Sequence, residues 1–165
     1  MSIEIREAKP NEYATVGEVT ADAYREFVRD GEPDWHNYLD RIADVGDRAA
    51  RTTILVAVEG HQLLGSATLE LDGRTEPDDD PLAPHEAHIR MLGVAPDARG
   101  RGIGRLLMDA CERRARGAGR NVVSLHTTQR MQAAQAMYES LGYERGEDRV
   151  FPDGFVLFSY TKHLV

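Results

Sequence analysis

Cysteine is almost missing from this sequence: Cys111 is the only one among 165 residues. A single cysteine excludes a disulfide within the chain, so the small secreted domains that disulfides hold together are not a model for it. Long apolar runs are missing too, and no stretch approaches the roughly 20 residues that a membrane-spanning helix needs. The first residues, MSIEIREAKP, have neither the basic start nor the apolar centre of a signal peptide. Together these absences predict a protein of the cytoplasm that does not enter a membrane.

Positive charge is also scarce. The formal net charge is −8 at pH 7, and lysine occurs only as Lys9 and Lys162 among 20 basic residues. Proteins that bind DNA or RNA need a basic surface for the phosphates, so this balance predicts no nucleic-acid partner. An acidic surface favours cationic partners, although it is equally typical of a protein that is simply well solvated.

Two familiar nucleotide-binding patterns and a metal site are absent as well. The P-loop needs a Gly-Lys pair, and the sequence contains none. The dinucleotide fingerprint Gly-x-Gly-x-x-Gly fails because Arg105 stands where a glycine should follow Gly100 and Gly102. The six histidines are scattered without the spacing of metal ligands, so no metal site is predicted.

Hydrophobic periodicity predicts a mixed α/β domain. Alternating or β-branched apolar runs predict seven strands, and apolar residues at helical spacing predict four helices. The predicted strands are 3–8, 52–59, 62–71, 86–96, 121–127, 144–151 and 155–164, and the predicted helices are 11–28, 35–49, 103–116 and 129–141. The length suits a single domain that spans residues 1–165.

The stretch ARGRGIGR, residues 98–105, lies between a predicted strand and a predicted helix and has the chemistry of an anion site. Its glycines carry no Cβ, so an anion can approach the backbone N–H groups closely. The first N–H groups of a helix have no partner within the helix, and the helix dipole favours negative charge there. Arg99, Arg101 and Arg105 would add charged donors. The arrangement predicts a phosphate site.

Residues 89–111, IRMLGVAPDARGRGIGRLLMDAC, resemble the acyl-CoA-binding motif of the GNAT superfamily of N-acetyltransferases. The core of that motif, Arg/Gln-x-x-Gly-x-Gly/Ala, is met by Arg99, Gly102 and Gly104. The motif stands between a predicted strand and a predicted helix, as it does in the family.

A second motif of the same family is a helix that ends in Tyr and is followed closely by Gly and an aromatic residue. The segment AAQAMYESLGYER meets it with Tyr138, Gly142 and Tyr143. The resemblance covers nearly the whole chain and implies the GNAT fold. That fold has a mixed, mostly antiparallel central sheet of about seven strands, flanked by about four helices and splayed between strands 4 and 5.

The resemblance implies a site for acetyl-CoA in the gap between the two splayed strands. Backbone groups on the first of these strands would pair with the pantetheine arm, and the glycine loop would hold the pyrophosphate. The implied cofactor-binding residues are Leu92, Gly93, Val94, Arg99, Gly100, Arg101, Gly102, Ile103, Gly104, Arg105, Met131 and Ala134. Met131 departs from the family, in which this position is often Asn.

The resemblance also implies direct attack of an amine on the thioester in a ternary complex. The motif places Tyr138 to protonate the departing sulfur. The amine must lose a proton, and Glu86 or His88, which share one face of a strand, is expected to accept it through water. An amine that is already neutral would need no base. His126, beside the presumed cleft, is either a further participant or ordinary packing.

Two other functions stay open at this stage. A catalytically silent acyl-CoA-binding or sensor module would keep the loop from Arg99 to Gly104 but would tolerate the loss of Tyr138. An enzyme that acetylates protein N-termini or lysines would prefer basic peptides to small amines. Each differs from the main prediction in a property that can be measured.

The acceptor is expected to be a small-molecule amine or a basic peptide, selected by the segments 11–49 and 72–85. Those segments carry aromatic and histidine side chains that either line a pocket or belong to the core: Tyr24, Trp35, His36 and Tyr38. The acidic run EPDDD, residues 76–80, either steers a cationic acceptor or is simply solvated. The resemblance also allows a homodimer.

Overall fold

The computed structural model describes residues 2–28, 33–152 and 154–164, without the side chains of residues 33–36. Within these residues the chain forms an eight-stranded sheet and five α-helices. The strands are β1 (Glu4–Glu7), β2 (Thr53–Glu59), β3 (Gln62–Glu70), β4 (Glu86–Val94), β5 (Val122–Thr128), β6 (Glu144–Arg145), β7 (Arg149–Val150) and β8 (Val156–His163). The helices are α1 (Tyr13–Tyr24), α2 (Pro33–Ala43), α3 (Val45–Ala49), α4 (Ile103–Gly117) and α5 (Gln132–Ser140).

The sheet is mixed and mostly antiparallel. Its strands follow the order β1-β2-β3-β4-β5-β8-β6, and β7 also pairs with β8. Among the described strand pairs only β4 and β5 run parallel, and α4 makes the long crossover that a parallel pair requires. These features confirm the predicted fold class.

The core lies on both faces of the sheet. On one face α4 buries Ile103, Leu107 and Cys111, which recur at helical spacing along the helix. On the other face α1 and α2 bury Val16 and Ile42. Successive residues of β2 point to opposite faces and therefore join the two layers alternately. Within the described residues, no helix combines the length and the apolar character needed to cross a membrane.

Several predicted boundaries are wrong. The predicted helix 35–49 is two helices, because the side chain of Asp44 accepts a hydrogen bond from the Asp47 amide at 3.2 Å and so caps the start of α3. The predicted strand 144–151 is two strands of two residues, β6 and β7, each paired with β8. The two ends of the predicted helix 11–28 include short 3-10 turns on either side of α1.

Strands β4 and β5 pair over only a short distance and then part. The paired segments run from Glu86 to Ile89 on β4 and from Val122 to Leu125 on β5. This fork is the predicted splay between strands 4 and 5, and the structure confirms it.

A β-bulge lies on β4 just beyond the fork. Two residues of β4, Met91 and Leu92, stand opposite the single residue Ala67 of β3. Met91 has a φ of 52°, in the left-handed region that residues other than glycine rarely adopt. The bulge therefore bends β4 at the point where it leaves β5.

Candidate active site

The fork between β4 and β5 opens into a cleft of about 500 Å³. Its walls come from β4, the glycine loop, the first turn of α4, the end of β5, α5 and the end of α1. The lining residues are Ala23, Tyr24, Glu26, Phe27, Leu92, Gly93, Val94, Ala98, Arg99, Gly100, Gly102, Ile103, Gly104, Arg105, His126, Thr127, Arg130, Met131, Gln132, Ala133, Ala134, Met137 and Tyr138. Every predicted cofactor residue except Arg101 is among them.

Glycine serves two purposes in the loop before α4. Gly100 and Gly102 have φ values of 79° and 77°, which glycine adopts without strain. Gly104 lies within the helix, but a Cβ at this position would stand 3.1 Å from the Sδ atom of Met137. Glycine at that site therefore allows α5 to pack closely against the start of α4.

The start of α4 offers backbone donors to the cleft. The first hydrogen bond of the helix runs from the Leu106 amide to the Gly102 carbonyl at 3.1 Å, so the N–H groups of residues 103–105 precede the intrahelical bonds. The positive end of the helix dipole lies at the same place. This end of the cleft is suited to an anion.

Two arginines of the loop line the cleft. Arg99 forms an ion pair with Glu26 and also donates to a backbone carbonyl at the end of α1, at 3.1 Å. Arg105 donates to the Oγ atom of Ser140 on α5, at 2.6 Å. Both side chains are solvent-exposed enough to exchange these partners for a bound anion.

Arg101 is the one predicted cofactor residue that does not line the cleft. Its guanidinium pairs with Glu59 at the end of β2, with Nη2 and Oε2 2.6 Å apart. The structure therefore does not bring Arg101 together with Arg99 and Arg105.

The segment Leu92–Val94 forms the β4 wall of the cleft. Its far edge is paired with β3, and its near edge lies beyond the last residue that pairs with β5. The Leu92 carbonyl accepts a hydrogen bond from the Tyr24 hydroxyl at 2.9 Å. A Cβ on Gly93 would lie 3.0 Å from the Cβ of Ala23, so the end of α1 packs directly on this segment.

Tyr138 lies on the face of α5 that borders the cleft and is 6% exposed. Its ring contacts that of Tyr160, with centroids 5.9 Å apart. Burial raises the pKa of the Tyr138 hydroxyl. The nearby Tyr143 hydroxyl is engaged elsewhere, because it donates to Glu112 at 2.9 Å. Tyr138 is therefore the tyrosine of the second motif that faces the cleft.

Two further predicted residues lie on the same side of the cleft as Tyr138. Ala134 is in the first turns of α5, and Met131 is its N-cap rather than a residue within it. The helix thus begins later than the predicted 129–141. Both side chains still line the cleft.

Glu86 and His88 do not line the cleft, and Ser124 of β5 joins them on the sheet behind it. The Ser124 hydroxyl donates to Oε2 of Glu86 at 2.5 Å and lies 2.7 Å from Nδ1 of His88. The hydroxyl has one proton, which it gives to the carboxylate, so His88 must donate its Nδ1 proton to Ser124. Nε2 of His88 then carries no proton.

His126 does line the cleft, and its ring lies beside that of His88. The two ring centroids are 5.1 Å apart with an interplanar angle of 53°. On its other side, Nδ1 of His126 lies 3.1 Å from the Ser159 hydroxyl of β8. His126 therefore connects the polar residues behind the cleft with the cleft itself.

The surroundings of both imidazoles favour the neutral form of the ring. Burial lowers the pKa of His88 well below its usual value, and the neighbouring His126, Arg74 and Arg90 lower it further. Burial also lowers the pKa of His126, and Arg90, Arg149 and Arg74 add to the effect. A neutral imidazole can accept a proton, so both rings have the protonation state of a base.

The sequence model of the Acetyltransferase (GNAT) family matches residues 17–143, which contain every residue that lines the cleft. The chain belongs to the GNAT family of acetyltransferases. The match confirms the resemblance seen in the two sequence motifs, and it identifies the chain as an acyltransferase.

Solved structures with the fold of this acetyltransferase include two from bacteria and one from an archaeon. The protein yncA of Salmonella typhimurium, solved with its cofactor acetyl-CoA, is 20% identical, with a TM-score of 0.72 over 100% of this chain and 95% of that one. The PaiA N-acetyltransferase of Thermoplasma acidophilum, solved in complex with coenzyme A, is 16% identical, with a TM-score of 0.72 over 96% and 98%. The ribosomal-protein-S18-alanine N-acetyltransferase of Escherichia coli is 16% identical, with a TM-score of 0.70 over 99% and 94%. At these identities the likeness concerns the fold.

The acidic run of the acetyltransferase, residues 76–80, is partly neutralised by ion pairs. Glu76 lies 3.1 Å from Arg41 of α2, and Asp79 lies 2.8 Å from Arg90 of β4. These contacts fasten the loop to the sheet and to α2. The run is therefore not simply solvated.

The structure describes two of the four side chains that are predicted to lie near the acceptor of the acetyltransferase. Tyr24 reaches the cleft, and Tyr38 packs against it edge to face, with ring centroids 6.4 Å apart. The side chains of Trp35 and His36 lie outside the described part of the structure. Among the described residues, no group of three or more His, Cys, Asp or Glu side chains is arranged to hold a metal ion.

Ser124 of the acetyltransferase was not among the predicted site residues. The sequence around Ser124 gives little indication of a functional role, since a serine within a short apolar strand is usually a packed core residue. The parallel register that sets Ser124 opposite His88 comes from the strand order, which the local sequence does not contain. Alternation along β5 does place Ser124 and His126 on one face, and that is the signal available in the sequence.

Proposed function

We propose that this acetyltransferase moves the acetyl group of acetyl-CoA to a primary amine by direct attack in a ternary complex. One observation carries the proposal: a strand edge at Leu92–Val94 and an anion-suited helix start at residues 103–105 share one continuous cleft. A strand edge suits an extended arm that contains amides, and a helix start suits a pyrophosphate. Acetyl-CoA combines both groups in one molecule.

The residues of the cleft fit this cofactor. The backbone of Leu92–Val94 would pair with the pantetheine arm, and the N–H groups of residues 103–105 would hold the pyrophosphate together with Arg99 and Arg105. When bound, acetyl-CoA supplies an acetyl group activated as a thioester. Arg101 is left out of this set because Glu59 holds it away from the cleft.

Tyr138 is the proposed general acid. Its raised pKa keeps the hydroxyl protonated at neutral pH, so the proton is available for the departing sulfur. The position of Tyr138 on α5, where it lines the cleft, supports this role.

The proton of the amine is proposed to leave towards the polar residues behind the cleft, which include Glu86 and His88. Neither of these side chains lines the cleft, so water or another residue has to connect them to the amine. A water-mediated role is the one that the sequence predicts for them.

Direct transfer is favoured over a covalent acyl-enzyme. Cys111 is the only cysteine of the chain, and it is buried in the core on α4. Burial raises its pKa to about 12, and a buried thiol that stays protonated is a poor nucleophile. The chain thus offers no thiol to carry the acetyl group.

The proposed acceptor is a small-molecule amine or a basic peptide, selected by α1, α2 and the loop 72–85. The net charge of −8 is compatible with either cation. A cytoplasmic location and a homodimer stay predictions.

Thermal unfolding with and without acetyl-CoA tests the cofactor site. A ligand at about 100 times its dissociation constant adds roughly 2.7 kcal/mol, which raises the Tm of a domain of this size by roughly 5–11 °C. ATP and NAD, which carry phosphates but no pantetheine arm, should not produce a shift of that size. An unchanged Tm at saturating acetyl-CoA would contradict the proposal.

Turnover tests the chemistry. Thiol release would be followed against polyamines, aminoglycosides, amino acids and basic peptides. Tyr138→Phe should lower kcat by about 100-fold or more while keeping the Tm shift with acetyl-CoA. A chain that binds acetyl-CoA but acetylates none of these amines, with Tyr138→Phe indistinguishable from wild type, would be a silent binding module instead.

A further inference from the structure

A row of polar side chains crosses the sheet from the surface to the cleft. It begins at Glu86, which is half-buried and accepts a hydrogen bond from the Ala83 amide at 3.3 Å. Ser124 bridges Glu86 to His88, at 2.5 Å and 2.7 Å. The row ends at His126, whose ring lies beside His88 with centroids 5.1 Å apart.

His126 is the member of this row that lines the cleft. It follows Leu125, the last residue of β5 that pairs with β4, and so it lies at the fork itself. The same cleft is lined by Leu92 on β4 and by Tyr138 on α5. Glu86 and His88 lie on the paired part of β4, behind the fork.

We propose that His126 is the group that takes the proton from the acceptor amine, and that Glu86, Ser124 and His88 position its ring from behind. The inference rests on the proposed acetyl transfer and names the base for that reaction. Glu86 and His88 are then positioning residues rather than the base. The hydrogen bond from Ser124 fixes the ring of His88, and His88 in turn packs against His126.

The protons of the proposed reaction are moved by two residues of the cleft, His126 and Tyr138. An acceptor that arrives as an ammonium ion loses two protons in the reaction. Nε2 of His126 takes the first, since Nδ1 is engaged with Ser159, and the free lone pair of the nitrogen forms the N–C bond as the C–S bond breaks. Tyr138 gives its proton to the sulfur, and the second proton of the nitrogen restores the Tyr138 hydroxyl. His126 finally releases its proton to solvent through the cleft.

The surroundings of His126 favour the unprotonated form of its ring, the form that can accept a proton. On β4 it faces Arg90, Glu86 and the neutral ring of His88, and beyond these it faces Arg74, which follows β3, and Arg149 of β7. Burial and, to a smaller extent, the arginines lower the pKa of the ring. Glu86 opposes them and favours the protonated ring that forms.

His126→Gln tests the proposal, because glutamine can form hydrogen bonds but cannot take a proton. With an amine from the panel that wild type acetylates, kcat/KM at pH 7 should fall by about 100-fold. The Tm shift with acetyl-CoA should stay. His61→Gln, in the exposed turn between β2 and β3, is the matched control and should match wild type.

The pH dependence separates a base from a structural role. The ratio of wild-type to His126→Gln kcat/KM cancels the titration of the amine itself. It should fall towards one as the pH drops below 6.5, because His126 becomes protonated there. A ratio near one at every pH would overturn the proposal, and so would a large pH-dependent ratio for His88→Gln in place of His126→Gln.

Ser124→Ala tests the positioning row. It removes the bridge between Glu86 and His88 without touching the cleft, so kcat/KM should fall less than tenfold. The midpoint of the pH dependence of kcat/KM should differ from that of wild type. Ser124→Thr keeps the hydroxyl and should restore the midpoint. An unmoved midpoint in Ser124→Ala would remove Glu86 and Ser124 from the mechanism.

If wild type acetylates no amine at all, the proposed function fails and the base assignment fails with it. An active wild type with an equally active His126→Gln overturns only the base assignment.

Discussion

Among single residues, the loop arginines illustrate how one residue type takes on different roles. Arg99 and Arg101 are two positions apart, yet Arg99 lines the cleft beside Glu26 and Arg101 is bound to Glu59 outside it. In the proposed cofactor site, a bound anion would have to compete with Glu26 for Arg99.

Replacing each arginine by alanine should separate the two roles. Arg99→Ala removes a charge-assisted donor worth about 1.5–3 kcal/mol, so the Kd for acetyl-CoA measured by isothermal titration calorimetry should rise by roughly 10- to 100-fold. Arg101→Ala is the matched control in the same loop and should change the Kd by less than about threefold. Equal losses in the two variants would place Arg101 in the cofactor site after all.

The sequence predicts the chemistry of single residues better than their partners. The glycines of the loop, and the arginines beside a predicted helix start, can be seen in the local sequence. The capture of Arg101 by Glu59 cannot, because it depends on how the end of β2 meets the loop. For the same reason alternation along β4 selects Glu86 and His88, but the end of the pairing with β5 decides which side chain reaches the cleft.

Among the elements, the helices α2 and α3 are tied to the sheet by a buried arginine. Arg48 is 1% exposed, and its Nη1 donates to the carbonyls of Ile42 and Arg41, at 2.8 Å and 3.0 Å. Its Nε donates to the Thr68 hydroxyl on β3, at 3.1 Å. The guanidinium thus neutralises the carbonyl end of α2 and joins it to β3.

Removing this link should destabilise the protein. Arg48→Met keeps much of the side-chain volume but deletes three hydrogen bonds, one of them to the buried carbonyl of Ile42. We expect a loss of about 2–4 kcal/mol in the free energy of unfolding, measured with urea. Arg113→Met, in an exposed pair on α4, should stay within about 0.5 kcal/mol of wild type. A small loss in Arg48→Met would show that water can replace the guanidinium.

Long elements with a strong apolar pattern are predicted within a few residues, and short ones are not. The predicted helix 103–116 is α4, and the predicted strands 52–59 and 62–71 are β2 and β3 with nearly the same ends. The two-residue strands β6 and β7 carry too few residues to show a period. The bulge at Met91 depends on the register with β3 rather than on a local signal.

For the whole molecule, one buried histidine links stability to pH. The folded-state pKa of His88 lies well below its usual 6.5, because the ring is buried beside His126 and two arginines. Above pH 6.5 the ring is neutral in both the folded and the unfolded state, so it does not make the free energy of unfolding depend on pH. As the pH falls below 6.5 the unfolded chain binds a proton that the folded chain does not, and stability is lost.

The free energy of unfolding should therefore fall between pH 6.5 and pH 5.5. One histidine contributes a slope of up to about 1.4 kcal/mol per pH unit. His88→Gln should reduce the slope whatever its effect on the absolute stability, while His61→Gln should keep it. Urea unfolding at a series of pH values measures the slope, and an unchanged slope in His88→Gln would place the proton uptake elsewhere.

Class and layer arrangement were predictable for the whole molecule, because two motifs and the order of elements are enough to indicate the family. The identity of the acceptor was not, since the segments proposed to select it, around α2 and in the loop 72–85, bring together side chains from distant parts of the chain. The ion pair between Glu76 and Arg41 is one contact of this kind.

The fork between β4 and β5 also bears on aggregation, because it leaves two strand edges unpaired within the sheet. Beyond Ile89 and Leu125 the two strands present backbone edges in the middle of a sheet, and bare edges invite strand addition by other chains and hence aggregation. Here the edges lie inside a cleft whose lining includes the end of α1 and α5. We expect these surroundings to hinder strand addition by a second sheet while admitting a slender extended ligand.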